Sequence, residues 1–161
     1  MKRILKPILL LFTLAVIISA CSTTKNASTG AANVSRGKFV GTWTVTNVSY
    51  DGVLQNAVQR VLDQAPPADF VGSTWKLYNS GDGIYTLPNG VSQTIFWSVY
   101  NNDASGQMFQ FKKIYQGDKA KNVTEGYRLL IGQNDGSSMT LRIPIALGSG
   151  NGYVTYTFNK Q

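Results

Sequence analysis

No histidine occurs among the 161 residues, and cysteine occurs once, at Cys21. The first absence removes the imidazole base on which Ser–His and Cys–His nucleophiles depend. The second leaves no pair of thiols for a disulfide and no thiolate cluster for a metal. Acidic residues are scarce too, 8 Asp and Glu against 15 Lys and Arg. Of these, Asp82, Asp103, Asp118 and Asp135 stand in turn-forming contexts, where a short carboxylate bonds its own backbone. Asn101-Asn102-Asp103 and Asn134-Asp135-Gly136 offer oxygen atoms without the acidic spacing of a calcium loop. No catalytic residue, metal site or cofactor is therefore expected, and the chain reads as a non-enzyme. Basic runs are also missing, since only Lys112-Lys113 and the Lys119/Lys121 pair come close together. That excludes an obvious nucleic-acid footprint. The charge is compatible with weak attraction to anionic headgroups or polysaccharide.

What is present begins with an address. Lys2, Arg3 and Lys6 precede an apolar run from Ile8 to Ile18, broken only by Thr13 and followed by Ser19-Ala20-Cys21. This is the pattern of a secretory signal peptide, too short for a membrane span. Ile18-Ser19-Ala20-Cys21 resembles the lipobox of bacterial lipoproteins, which implies cleavage after Ala20 and a lipid anchor on Cys21. Loss of residues 1–20 takes three positive charges and lowers the formal charge from +7 to +4. Residues 21–35 then read as acylated cysteine and tether, rich in Ser, Thr, Asn, Ala and Gly without an aromatic residue. As a coil that segment spans about 20 Å. Residues 36–161 make one domain.

Within the domain the hydrophobic pattern has period two. Strand-like runs cover 39–50, 72–78, 83–88, 91–100, 107–116, 125–133, 137–147 and 152–159, separated by turn-formers such as Pro88-Asn89-Gly90. Met139, Leu141, Ile143, Ile145 and Leu147 alternate with Thr140, Arg142, Pro144 and Ala146. In 91–100 both faces are apolar, Ile95, Trp97 and Val99 against Phe96 and Tyr100. One face there meets the core and the other packs under a loop or helix. Short strands joined by hairpin turns predict an all-β antiparallel barrel or sandwich. One stretch differs: Val53, Leu54, Ala57, Val58, Val61 and Leu62 recur at helical spacing and end at Pro66-Pro67, which predicts a short helix in the first strand connection.

Gly41-Thr42-Trp43 on the first strand, eight strands in all and a long first connection resemble the lipocalins. Val71-Gly72-Ser73-Thr74-Trp75-Lys76-Leu77, Gly83-Ile84-Tyr85 and Tyr156-Thr157-Phe158-Asn159-Lys160 are similar to lipocalin-like lipoproteins of the Bacteroidetes. The family's T-D-Y motif is missing, with Thr124-Glu125-Gly126-Tyr127 a loose echo. The resemblance implies an eight-stranded up-and-down barrel, closed at one end by Gly41 and Trp43. Arg142 is the only match for the arginine that packs on that Trp. Its alternation puts it outside the barrel, as a cation–π cover over the end or as a solvated strand face. The resemblance further implies a small hydrophobic ligand. Trp97, Phe109, Phe111, Leu141 and Ile143 are candidates to line its site. Val58, Val61 and Leu62 would turn down onto the rim as a lid or a permanent plug.

An eight-stranded barrel has room either for its own side chains or for one small ligand. Three Trp, eight Tyr and the six Phe left once Phe12 goes with the signal peptide can line a pocket or fill it. Two functions stay open: a carrier or sensor of a hydrophobic molecule, and a structural or interaction lipoprotein with a filled barrel. In either case a monomer is expected, anchored by Cys21 to the outer membrane and facing the periplasm.

Overall fold

Eight antiparallel strands follow one another around a ring in chain order, each bonded to the next, and β8 closes on β1. The computed structural model describes residues 33–103, 106–148 and 150–161. The signal peptide, Cys21 and most of the tether lie outside the described residues. The strands are β1 (Gly41–Asp51), β2 (Thr74–Leu77), β3 (Asp82–Thr86), β4 (Ser92–Asp103), β5 (Gly106–Lys113), β6 (Tyr127–Asn134), β7 (Ser138–Leu147) and β8 (Gly150–Lys160). Up-and-down closure gives every strand a neighbour on both sides.

Alternation decides which side chains fill the ring. On β5, Gln107, Phe109, Phe111 and Lys113 are buried while Gly106, Met108, Gln110 and Lys112 are half-buried on the outer wall. On β4, Ile95 and Trp97 point in, and Phe96, Ser98 and Tyr100 point out. β-Bulges between Val45 and Asn47 and between Ile131 and Gln133 shift the register, which bends the strands as closure demands. The core runs from Val34 to Phe158, so the described part carries its own hydrophobic centre. Val34 is itself buried, two residues ahead of the expected domain start.

The α-helix expected over 53–62 does not form. Only a 3₁₀ turn, Gln55–Ala57, appears there, with another at Pro67–Phe70. Leu62 and Asp63 have φ of 52° and 46°, values a right-handed helix excludes. They are the central residues of a type I′ turn closed by Gln64 N–H donating to the Val61 carbonyl, 3.1 Å. An antiparallel bridge then joins Val61 to Ala65. An isolated helix of ten residues is marginal, and contacts with the barrel rim select a miniature hairpin instead. The apolar side chains still face as the lid prediction requires: Val58, Val61 and Leu62 are buried, and Gln55, Gln59 and Arg60 are exposed.

Candidate functional site

Three places gather side chains whose arrangement goes beyond lining a core: the closed end, the mouth and one stretch of outer wall.

At the closed end the 3₁₀ turn Arg36–Phe39 carries Phe39 under the first strand. Phe39 and Trp43 are fully buried, and the Trp43 indole N–H donates to the Phe39 carbonyl at 2.7 Å. Gly41 has φ +137°, and a Cβ there would collide with the Lys160 side chain. The missing Cβ lets Lys160 cross it and hold Nζ 5.2 Å from the Trp43 ring centroid. Gly41 and Trp43 sit together at this end, and the cation over Trp43 is Lys160. Arg142 lies on the outer wall, with its guanidinium 4.0 Å from the Tyr153 ring centroid and 3.2 Å from the Asp51 carboxylate. Outward alternation between Leu141 and Ile143 puts it there. The N-terminal approach is clamped as well: Val34 N–H donates to Gln107 Oε1 at 2.7 Å, and Gln107 Nε2 donates to the Val34 carbonyl at 3.1 Å.

The predicted ligand-lining residues sit among one another. Trp97 stacks on Phe109 with centroids 5.7 Å apart, and Phe109 meets Phe111 at 6.2 Å. Trp97, Phe109, Phe111 and Leu141 are at most 1% exposed, and Ile143 is half-buried against the same core. Trp75 fills the remaining centre, stacked on Tyr85 at 4.6 Å and meeting Phe111 and Phe158 edge-on at 5.7 Å. Ring separations of this kind are those of packed aromatic pairs.

Over the mouth the 58–70 segment is held by polar bonds from the barrel. Lys113 is buried and donates from Nζ to the Asp63 carbonyl at 3.3 Å and to Gln64 Oε1 at 3.0 Å. The Tyr127 hydroxyl donates to the Asp63 carboxylate at 2.9 Å, and the Tyr156 hydroxyl to the Pro67 carbonyl at 3.1 Å. Phe70 packs between Tyr85 and Tyr156. Burial lowers the Lys113 pKa, offset in part by Asp63, with Arg60 adding to the lowering. Burial raises the hydroxyl pKa of Tyr85, Tyr127 and Tyr156 well above the ordinary value. For Tyr127 the bond to Asp63 adds to the rise. Outside this plug a shallow hollow of ≈ 400 Å³ opens between Tyr50, Leu54, Val58 and Pro67.

A larger hollow, a groove of ≈ 640 Å³, lies on the outer wall of β4, β5 and β6. Its floor is Phe96, Ser98, Gln110, Lys112 and Arg128, and its far wall is the 120–126 part of the β5–β6 connection. Gln110 Nε2 donates to Ser98 Oγ at 2.8 Å, and Lys112 Nζ to the Ala120 carbonyl at 3.3 Å. Arg128 rests over the Tyr100 ring, 4.1 Å from its centroid. Gly126 lies so close to β5 that a Cβ would come within 3.1 Å of the Phe111 carbonyl oxygen; glycine lets the wall sit down on the strand. The sequence pairs Phe96 and Tyr100 with a covering loop, but Lys121 and Arg128 give no signal of joining them. They reach the groove through a long connection that no periodicity describes.

Two of the turn carboxylates are used in their own turns. Asp135 Oδ1 accepts from the backbone N–H groups of Ser137 and Ser138, both at 2.7 Å, and Asp118 accepts from Tyr115 N–H at 3.1 Å. Among the described residues no group of three or more potential metal ligands comes together. Searches against family models, curated proteins and solved structures returned no match.

Proposed function

We propose that the chain is an outer-membrane lipoprotein of lipocalin-like type, anchored through Cys21, whose filled barrel is a scaffold for contacts with another component of the cell envelope. The observation that carries this reading is the mutual packing of Trp97, Phe109, Phe111 and Leu141, each at most 1% exposed. A carrier needs these same side chains to face an empty centre. Here Trp75, Tyr85, Phe111 and Phe158 meet ring against ring across it, and the mouth is bonded shut by Lys113, Tyr127 and Tyr156. Two hollows lie outside the barrel wall and outside the plug, which is where a scaffold offers binding. The lipid anchor rests on the Ser19-Ala20-Cys21 pattern.

Native mass spectrometry of residues 33–161 tests the filled barrel. The expected result is a single bare mass after expression in lipid-rich cells, and no uptake of an environment-sensitive apolar dye. Retained lipid, or saturable dye uptake that changes when Val58, Val61 and Leu62 become Ser, restores the carrier reading.

A further inference from the structure

We propose that the outer-wall groove binds an acidic saccharide, a sugar unit carrying a carboxylate within an envelope or environmental glycan. The inference rests on the scaffold reading above and gives it a ligand class. Three cations converge on one hollow from three elements: Lys112 from β5, Lys121 from the connection and Arg128 from β6. No Asp or Glu is among the lining residues, and Glu125 is the one acid in the wall segment beside them. Like charges brought together in a concavity raise the local potential for an anion. Arg128 is held in place over Tyr100, so its fork meets a carboxylate without much loss of freedom.

Charge alone would fit any anion; the remaining lining narrows it. Phe96 supplies a half-buried apolar face on the groove floor, onto which the C–H face of a sugar ring packs. Beside it the Ser98–Gln110 pair presents hydroxyl and amide groups at the spacing of one hydrogen bond, 2.8 Å. Such a pair both gives and accepts bonds, which suits hydroxyls. The ≈ 640 Å³ volume falls in the range of small-ligand sites, about 300–1,000 Å³, and matches a short oligosaccharide. A peptide adding itself as a strand is disfavoured here because β5, at the centre of the groove, is already paired with β4 and β6 on its two sides. A flat bilayer surface does not reach the floor of a groove walled by residues 120–126.

Calorimetry of the full chain in nonionic detergent against trigalacturonate, with its methyl ester as the neutral control, tests the proposal. Saturable binding of the acid alone is expected. It should weaken ~10-fold or more in the Lys112→Gln/Lys121→Gln double variant, the loss of two charge-assisted contacts, and again in Phe96→Ala. Because Lys112 also bonds the wall, Lys121→Glu alone, at an exposed position, serves as the variant that keeps the fold. It should weaken binding severalfold with an unchanged melting temperature. No binding of trigalacturonate overturns the proposal, as does equal binding of acid and ester, or affinity untouched by Lys121→Glu. Inorganic phosphate binding as tightly as the saccharide also overturns it, reducing the groove to a bare anion patch. Sedimentation of residues 33–161, without the anchor, with phosphatidylglycerol but not phosphatidylcholine vesicles, in place of saccharide binding, assigns the surface to membrane instead. Dye or lipid uptake would defeat the filled-barrel reading and leave these outcomes unaffected, so the two failures are separable.

Discussion

At the closed end Phe39 and Trp43 are joined by a bond only four residues long in sequence, with Phe39 packed on Trp97 and Phe109 and Lys160 over Trp43. At the mouth the seal is a hairpin with Leu62 and Asp63 in the left-handed region, tied down by Lys113, Tyr127 and Tyr156 from three different strands. The first seal depends on volume and hardly on pH. The second depends on protons remaining where burial has placed them. One barrel thus has a permanent floor and a chemically addressable ceiling.

The largest expected effect breaks the floor. Trp43→Ala removes a fully buried indole and should cost about 3–5 kcal/mol in denaturant unfolding, the range for deleting a large core aromatic. A cost below about 0.5 kcal/mol, typical of surface positions, would deny Trp43 its role as a seal.

A second experiment sharpens the contrast by titrating the ceiling. The folded pKa of Tyr156 lies above its ordinary 10.0 because of burial. Its stabilising contribution is therefore complete below pH 10 and is lost as pH climbs from there toward the folded value, because the unfolded chain releases the proton first. Tyr156→Phe keeps the ring and removes the titration. At pH 7 it should cost about 0.5–1.5 kcal/mol for the lost bond to Pro67. That difference should shrink steadily above pH 10. A difference independent of pH up to 11.5 would mean that the hydroxyl is not held in its neutral form.

The smallest effect belongs to neither end. Arg142 pairs with Asp51 on the outer wall, where the two side chains are 35% and 73% exposed. Exposed pairs contribute about 0–1 kcal/mol, so Arg142→Ala should change stability by no more than that. A loss comparable to that of Trp43→Ala would return Arg142 to the barrel closure from which the geometry removes it.

The strands were legible because alternation is a local property. The run expected at 137–147 appears as Ser138–Leu147, and that at 107–116 as Gly106–Lys113. Gly41 and Trp43 were legible for the same reason, two positions apart on one strand. The 53–62 segment was misread because Val58, Val61 and Leu62 are buried on the rim at a spacing that mimics a helix, while Leu54 and Ala57 in the same pattern are exposed. Lys160 was missed because its partner, Trp43, is 117 positions away, and only the closure of β8 on β1 brings them together. The groove is harder still. Phe96, Lys112, Lys121 and Arg128 sit on four successive segments, and no one-dimensional pattern links them.

The clamp between Val34 and Gln107 fixes the end of the barrel at which the incoming chain is held. Those two bonds fasten the incoming chain to the start of β5, at the end where Phe39 closes the barrel. Under the proposed anchoring through Cys21, a pull from the N-terminal side would enter the domain at this floor, with the plugged mouth at the opposite end. Such a pull would reach the Val34–Gln107 amides before any ladder of strand hydrogen bonds. Strain arriving along the chain would then be relieved at the base of the barrel.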